Sequence, residues 1–135
     1  MVSDVLMSIR PVYAEAILSG GKTVELRRRR PSFAVGTRVL IYATSPEQRV
    51  WGEFEVGGVI EDVPASLWDT VAHRAGVDRA TFDAYFGGSD TAYAIEIANA
   101  RRIAPTPIPI RPPQSYQFLD PTRLRHRTVM RLAAA

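Results

Sequence analysis

Lys22, Glu25 and Arg27 fall within one octapeptide, Gly20-Gly21-Lys22-Thr23-Val24-Glu25-Leu26-Arg27. An ammonium, a carboxylate and a guanidinium at this spacing can hold a phosphate or the polar edge of a base. They can also move a proton, if burial shifts the lysine and the glutamate toward neutrality. Lys22 is the only lysine; the other sixteen basic residues are arginine. A desolvated ammonium can lose its proton, whereas a guanidinium effectively cannot. The competing interpretation is a surface salt-bridge ladder, worth less than about 1 kcal/mol.

The elements that must position these groups follow from local patterning. Thr23 to Arg27 alternates as a strand, so Val24 and Leu26 share the apolar face and Thr23, Glu25 and Arg27 the other. Before it, Val5 to Ile9 is a short apolar strand. Pro11 opens a helix that runs through Leu18 and stops at Ser19-Gly20-Gly21, so Lys22 falls at a helix-to-strand corner. Arg28 to Gly36 is a loop. If the strand continued past Arg27, Arg29 would share its face, and Arg28 and Arg30 would point away. Arg38 to Ala43 is a buried strand. Val50 to Val56 alternates, bends at Gly57-Gly58 and continues to Val63.

The middle is helical, with one helix opened by Pro64 and broken at Gly76, and a second over Arg79–Phe86 capped by Asp78. Thr91 to Ile97 is a strand running toward Ile103. Five prolines between Pro105 and Pro113 make that stretch extended. Gln114 to Leu119 reads as a helical turn, and the basic tail from Asp120 as a possible helix. Five to six short strands with two to three helices imply an α+β fold, a curved sheet closing into a small β-barrel with helices packed around it.

At 135 residues the chain has the size of a single domain, with a core over about 5–119 and a basic extension over 120–135. There are no cysteines and only two histidines, His73 and His126. Thiolate metal sites, iron–sulfur clusters and a cysteine nucleophile are thereby excluded, and neither a metal nor an organic cofactor is expected. No apolar run reaches the roughly 20 residues that span a bilayer. The N-terminal residues do not read as a secretory signal, so the expected location is cytoplasmic, away from membranes.

Charge is unevenly distributed along the chain. Residues 1–50 carry eight bases against four acids, 51–100 two against nine, and 101–135 seven against one. Two basic thirds flank an acidic middle. If the ends meet in the fold they make a face that attracts phosphate. Nucleic acid is the partner this implies, RNA more than DNA, with the oligomeric state open; a solvated surface explains the charge equally well. Further candidates for such a surface are Arg10 and Arg29 for phosphate, Tyr42 and Tyr116 for stacking, and Thr44, Ser45, Gln114 and Ser115 for hydrogen bonds. For the aromatics a place in the core, and for the hydroxyls a local turn, are the competing roles.

The pattern G-x-K-x-x-E-x-R formed by Gly20 to Arg27 resembles the signature of the ASCH domain family, whose fold is PUA-like. Leu40-Ile41-Tyr42-Ala43-Thr44-Ser45-Pro46, Gly52-Glu53-Phe54, Tyr93-Ala94-Ile95 and Pro112-Pro113-Gln114-Ser115-Tyr116 continue the similarity in order. The resemblance implies a β-barrel with a cleft beside the first helix, lined by the signature. It also implies RNA binding, transcription or translation control, ribonuclease activity or N4-acetylcytidine deacetylation. In the small amidohydrolases of the superfamily the motif reads Lys-Thr-x-Thr, with threonine where Glu25 stands here. That departure weighs against the acetylcytidine reaction and leaves Lys22 and Glu25 as the candidate catalytic pair if the protein is an enzyme. The remaining alternative is a module for a small ligand or a protein partner.

Overall fold

The computed structural model describes residues 3–134. Six strands form one sheet: β1 (Val5–Ile9), β2 (Val24–Arg27), β3 (Arg38–Ala43), β4 (Arg49–Asp62), β5 (Ala92–Thr106) and β6 (Tyr116–Phe118). Four helices pack on it: α1 (Pro11–Leu18), α2 (Pro64–Val71), α3 (Arg79–Phe86) and α4 (Leu124–Ala134). The strand order is β2-β5-β4-β3-β1-β6. Only β1 and β3 run parallel; every other neighbour is antiparallel. This is the α+β, PUA-like arrangement expected, with one helix more than expected because the basic tail folds as α4.

Curvature comes from the long hairpin of β4 and β5. Its register shifts at Val50/Gly52, Glu53/Glu55 and Val56/Gly58, and each bulge bends the strands further. The bend anticipated at Gly57-Gly58 is the last of these. Gly52 has a packing reason as well. A Cβ there would collide with the Arg101 carbonyl and the Leu18 side chain, so α1 lies directly on the sheet only because that side chain is missing. The curled sheet does not close by hydrogen bonds: β2 and β6 are its two free ends.

Three apolar clusters hold these layers. Inside the curl, Val5, Met7, Ile9, Val39, Ile41 and Phe54 pack with Ala14 and Ile17 of α1. Val24 and Leu26 of β2 pack with Leu67, Val71, Phe82 and Phe86 of α2 and α3. On the outer face, Leu6, Leu40, Tyr42, Val50 and Leu119 are covered by Val129 of α4. β1 is therefore apolar at nearly every position, because it is buried on both faces.

Two local expectations are corrected. Gln114 to Leu119 is not a helical turn. Tyr116 to Phe118 pairs antiparallel with Met7 to Val5, because β1 offers an open edge that a local pattern cannot reveal. The strand ends at Arg27 and the chain bends at Arg28 and Arg29, so strict alternation through the arginine run fails.

Candidate nucleic-acid cleft

The signature lines a cavity of about 660 Å³ at the C-terminal end of β1. Glu25, Leu26 and Arg27 of β2 form one side. Arg10 and Tyr13 at the start of α1 form another, and Phe82 and Tyr85 of α3 a third. The apolar side of β2 is pinned by α2 and α3, which turns Glu25 and Arg27 toward the cavity.

Lys22 is 2% exposed and Glu25 7%. The Lys22 backbone amide donates to the Ala16 carbonyl, which anchors the corner. Its Nζ donates to the Ala75 carbonyl at 2.5 Å and lies 3.9 Å from Glu25 Oε1. It also sits 5.2 Å from the centre of the Tyr13 ring. Burial pushes the Lys22 ammonium below the ordinary lysine range; Glu25 opposes that shift and Arg27 adds to it. Gly76 makes this placement possible. Its φ is +67°, and a Cβ there would stand 2.9 Å from Lys22 Cβ.

Arg27 organises the other end of the cluster. Its Nη2 donates to Glu25 Oε2 at 2.8 Å and to the Ser8 carbonyl at 3.2 Å, and its Nη1 to Ser115 Oγ at 3.0 Å. Its buried Nε has no hydrogen-bond partner among the described residues. Glu25 is thus held between two cations, one on each carboxylate oxygen. The arrangement is a buried charged cluster and not the exposed salt-bridge ladder.

The sequence pointed to the charged centre of this site and to a minority of its lining. Arg10, Lys22, Glu25, Arg27, Thr44 and Gln114 all line the cavity. Ser115 joins it through Arg27. Thr23 does not: it lies one residue before β2, and its hydroxyl accepts from Arg74 Nε at 3.0 Å, outside the cavity. Arg29 is exposed and does not line it, whereas Arg28 does, because the bend after Arg27 exchanges their directions. The Arg28 guanidinium lies 4.3 Å from the centre of the Tyr85 ring, and its Nε donates to the Tyr85 carbonyl at 2.8 Å.

Tyr42 is in the core beneath α4, the bland role weighed for it. Tyr116 packs edge-on to Phe33 at 4.9 Å and its hydroxyl contacts Ser32, away from the cavity. Ser45 takes part in a local turn, its hydroxyl accepting from Gln48. The contributions missed were Tyr13 and the α3 wall of Phe82 and Tyr85. Tyr13 stands one helical turn after Arg10, which was a usable signal. Nothing in the α3 sequence says which wall it builds.

No helix among the described residues is long and apolar enough to cross a membrane. They also hold no cluster of three or more His, Cys, Asp or Glu side chains placed to bind a metal.

With a curled mixed sheet and a charged cleft beside the first helix, the chain has the build of a PUA-like domain. Comparison with known proteins gives the family: the ASCH domain pattern matches residues 7–107, and the chain belongs to that family. A protein of Zymomonas mobilis named "ASCH domain-containing ribonuclease" is 32% identical over 124 residues, covering 86% of this chain and 84% of that one. The crystal structure of the ASCH protein from Zymomonas mobilis superposes with a TM-score of 0.88 at 29% identity, covering 96% of this chain and 95% of that one. A 58-residue stretch is also 36% identical to part of the large ribosomal subunit protein uL22 of Ureaplasma parvum, covering 43% of this chain and 19% of that protein.

Proposed function

We propose that this ASCH domain binds single-stranded RNA in the cytoplasm and cleaves it in the Lys22–Glu25 cleft. The observation that carries this reading is the buried Lys22–Glu25–Arg27 cluster on the side of a cavity large enough for a nucleotide. Similarity to a protein named a ribonuclease supports it. Arg10 and Arg28 at the rim bring further positive charge to a phosphate. The cavity also offers Tyr13, Phe82 and Tyr85 as surfaces for a base.

The groups suit cleavage through the ribose 2′-hydroxyl. Glu25 accepts the proton of that hydroxyl, and its oxygen attacks the neighbouring phosphorus. The bond from phosphorus to the 5′-oxygen breaks, and the Lys22 ammonium supplies the proton that the leaving oxygen takes. The products are a 2′,3′-cyclic phosphate and a 5′-hydroxyl. Arg27, whose side chain lines the cavity, stabilises the charge that builds on the phosphoryl oxygens. Burial of Lys22 makes it a readier acid than an ordinary lysine. DNA lacks the 2′-hydroxyl, so it binds without being cut.

The test is incubation of a labelled single-stranded RNA with the protein, followed by gel analysis and identification of the new ends. Cleavage lost in Lys22→Ala and in Glu25→Gln, with binding retained, is the expected result. Bound RNA that stays intact would instead make the protein a recognition module. One observation favours that second reading: Lys22 Nζ already donates to the Ala75 carbonyl.

A further inference from the structure

Seven of the sixteen arginines are ion-paired, and of the other nine, three come together at one place. Arg27, Arg30, Arg38, Arg74, Arg79, Arg101 and Arg102 each pair with a carboxylate. Arg111, Arg123 and Arg125 are exposed, and among the described residues none has a carboxylate within ion-pair distance. These three line one open groove between the 109–111 segment and the start of α4. Ile110, Leu124, Gln117 and His126 complete its walls, and no acid lines it. Asp120, close by in the chain, accepts hydrogen bonds from the Thr122 amide at 2.9 Å and the Thr122 hydroxyl at 2.7 Å. Those Thr122 hydrogen bonds hold the carboxyl below its usual range, with a smaller contribution from the Arg123 charge.

The chain segment 111–117 runs from the groove to the cleft and back to the groove. Ser115, which accepts from Arg27, bonds through its carbonyl to the Ser8 amide, and Gln117 stands opposite Leu6. Ser115, which meets the cleft through Arg27, immediately precedes β6, and Gln117 of the groove stands within it. Gln114 of the cleft and Arg111 of the groove belong to the same short connection into β6.

We infer that this groove is a second subsite, holding the phosphodiester backbone of the single-stranded RNA whose reacting nucleotide occupies the Lys22–Glu25 cleft. The inference rests on the RNA reading of the cleft and extends it: the substrate is a strand of several nucleotides, not a free nucleoside. Guanidiniums without a carboxylate partner, on a wall that no acid lines, match a polyanion. The groove has no Phe, Tyr or Trp on which bases would stack, and its one imidazole, His126, is buried, so it contributes affinity without sequence preference.

The test compares a dinucleotide and a twelve-nucleotide single-stranded RNA, with the full chain and with an Arg111→Gln, Arg123→Gln, Arg125→Gln triple variant. All three side chains are exposed, and a thermal melt checks that the variant folds. The expected result is at least tenfold weaker binding of the twelve-mer, with the slope of log affinity against log salt shallower by about two. Dinucleotide binding stays as in the parent protein. Unchanged twelve-mer affinity and slope in the triple variant, with binding still weakened severalfold in Arg28→Ala, would overturn the second subsite and leave the cleft reading standing. If the parent protein binds neither RNA at low salt, the cleft reading fails and the subsite with it. Retained RNA binding alongside lost retention of an acidic protein would assign the groove to that other class of partner, and also overturn the inference.

Discussion

Arg27 spans the open seam of the sheet, donating from β2 to the hydroxyl of Ser115, 88 residues further along the chain, at 3.0 Å. The same guanidinium donates to the Ser8 carbonyl and to Glu25. One planar fork thus joins the two free ends of the sheet and fixes the carboxylate at the centre of the cleft. One side chain takes part both in closing the curl, beside the Ser32 and Phe33 contacts of Tyr116, and in organising the site.

Arg27→Lys should lose both. An ammonium cannot serve three acceptors in one plane. Loss of the hydrogen bonds to Ser8 and Ser115 is expected to cost about 2 kcal/mol in chemical denaturation. RNA turnover should fall at least tenfold. A variant that keeps full stability and full turnover would remove the bridging role.

Lys22→Met should keep the fold while abolishing cleavage. The folded protein holds the lysine below its unfolded range, so burial of the protonated amine opposes folding at neutral pH. Between the lowered value and the unfolded value near 10.5, the unfolded chain binds the extra proton. Stability attributable to this group therefore rises with pH through that window. The melting temperature of the parent protein, measured against Lys22→Met, should climb as the pH rises toward 10.5. A constant difference would contradict it.

Glu25→Ala should destabilise more than any other change in the cluster. It strands the Lys22 ammonium and the Arg27 guanidinium beside each other in a buried site, at a cost of about 3 kcal/mol or more. Glu25→Gln keeps an acceptor for Arg27 and should cost less. Equilibrium unfolding of the two variants checks the order.

Gly76→Ala tests the packing behind Lys22. The positive φ and the 2.9 Å approach to Lys22 Cβ both resist a side chain. A loss of about 1–3 kcal/mol is expected. Turnover should fall with it as Lys22 shifts, and an unperturbed melt would show that the segment adapts freely.

Arg28→Ala and Arg29→Ala separate neighbours. Arg28 lies over Tyr85 at the cleft and Arg29 does not line it. RNA affinity at moderate salt should drop severalfold more in the first variant. Equal losses would mean that only net charge matters.

The sequence by itself carried the elements whose causes are local. Pro11 opens α1, Asp78 caps α3 by accepting from the Thr81 amide, and the alternation of Val24 and Leu26 sets the faces of β2. It also carried the Lys22–Glu25–Arg27 cluster, because corner and strand periodicity bring those residues to one place. Tertiary structure decided the rest. β6 is a strand because β1 leaves an edge unpaired, and Tyr42 is core because α4 covers it. Arg28 reaches the cleft in place of Arg29 because the chain bends where β2 loses its partner. The α3 wall, the carbonyl of Ala75 on Lys22 and the bridge from Arg27 to Ser115 join residues far apart in the chain. Such contacts are selected by the packing of whole elements, and short-range patterns hold no record of them.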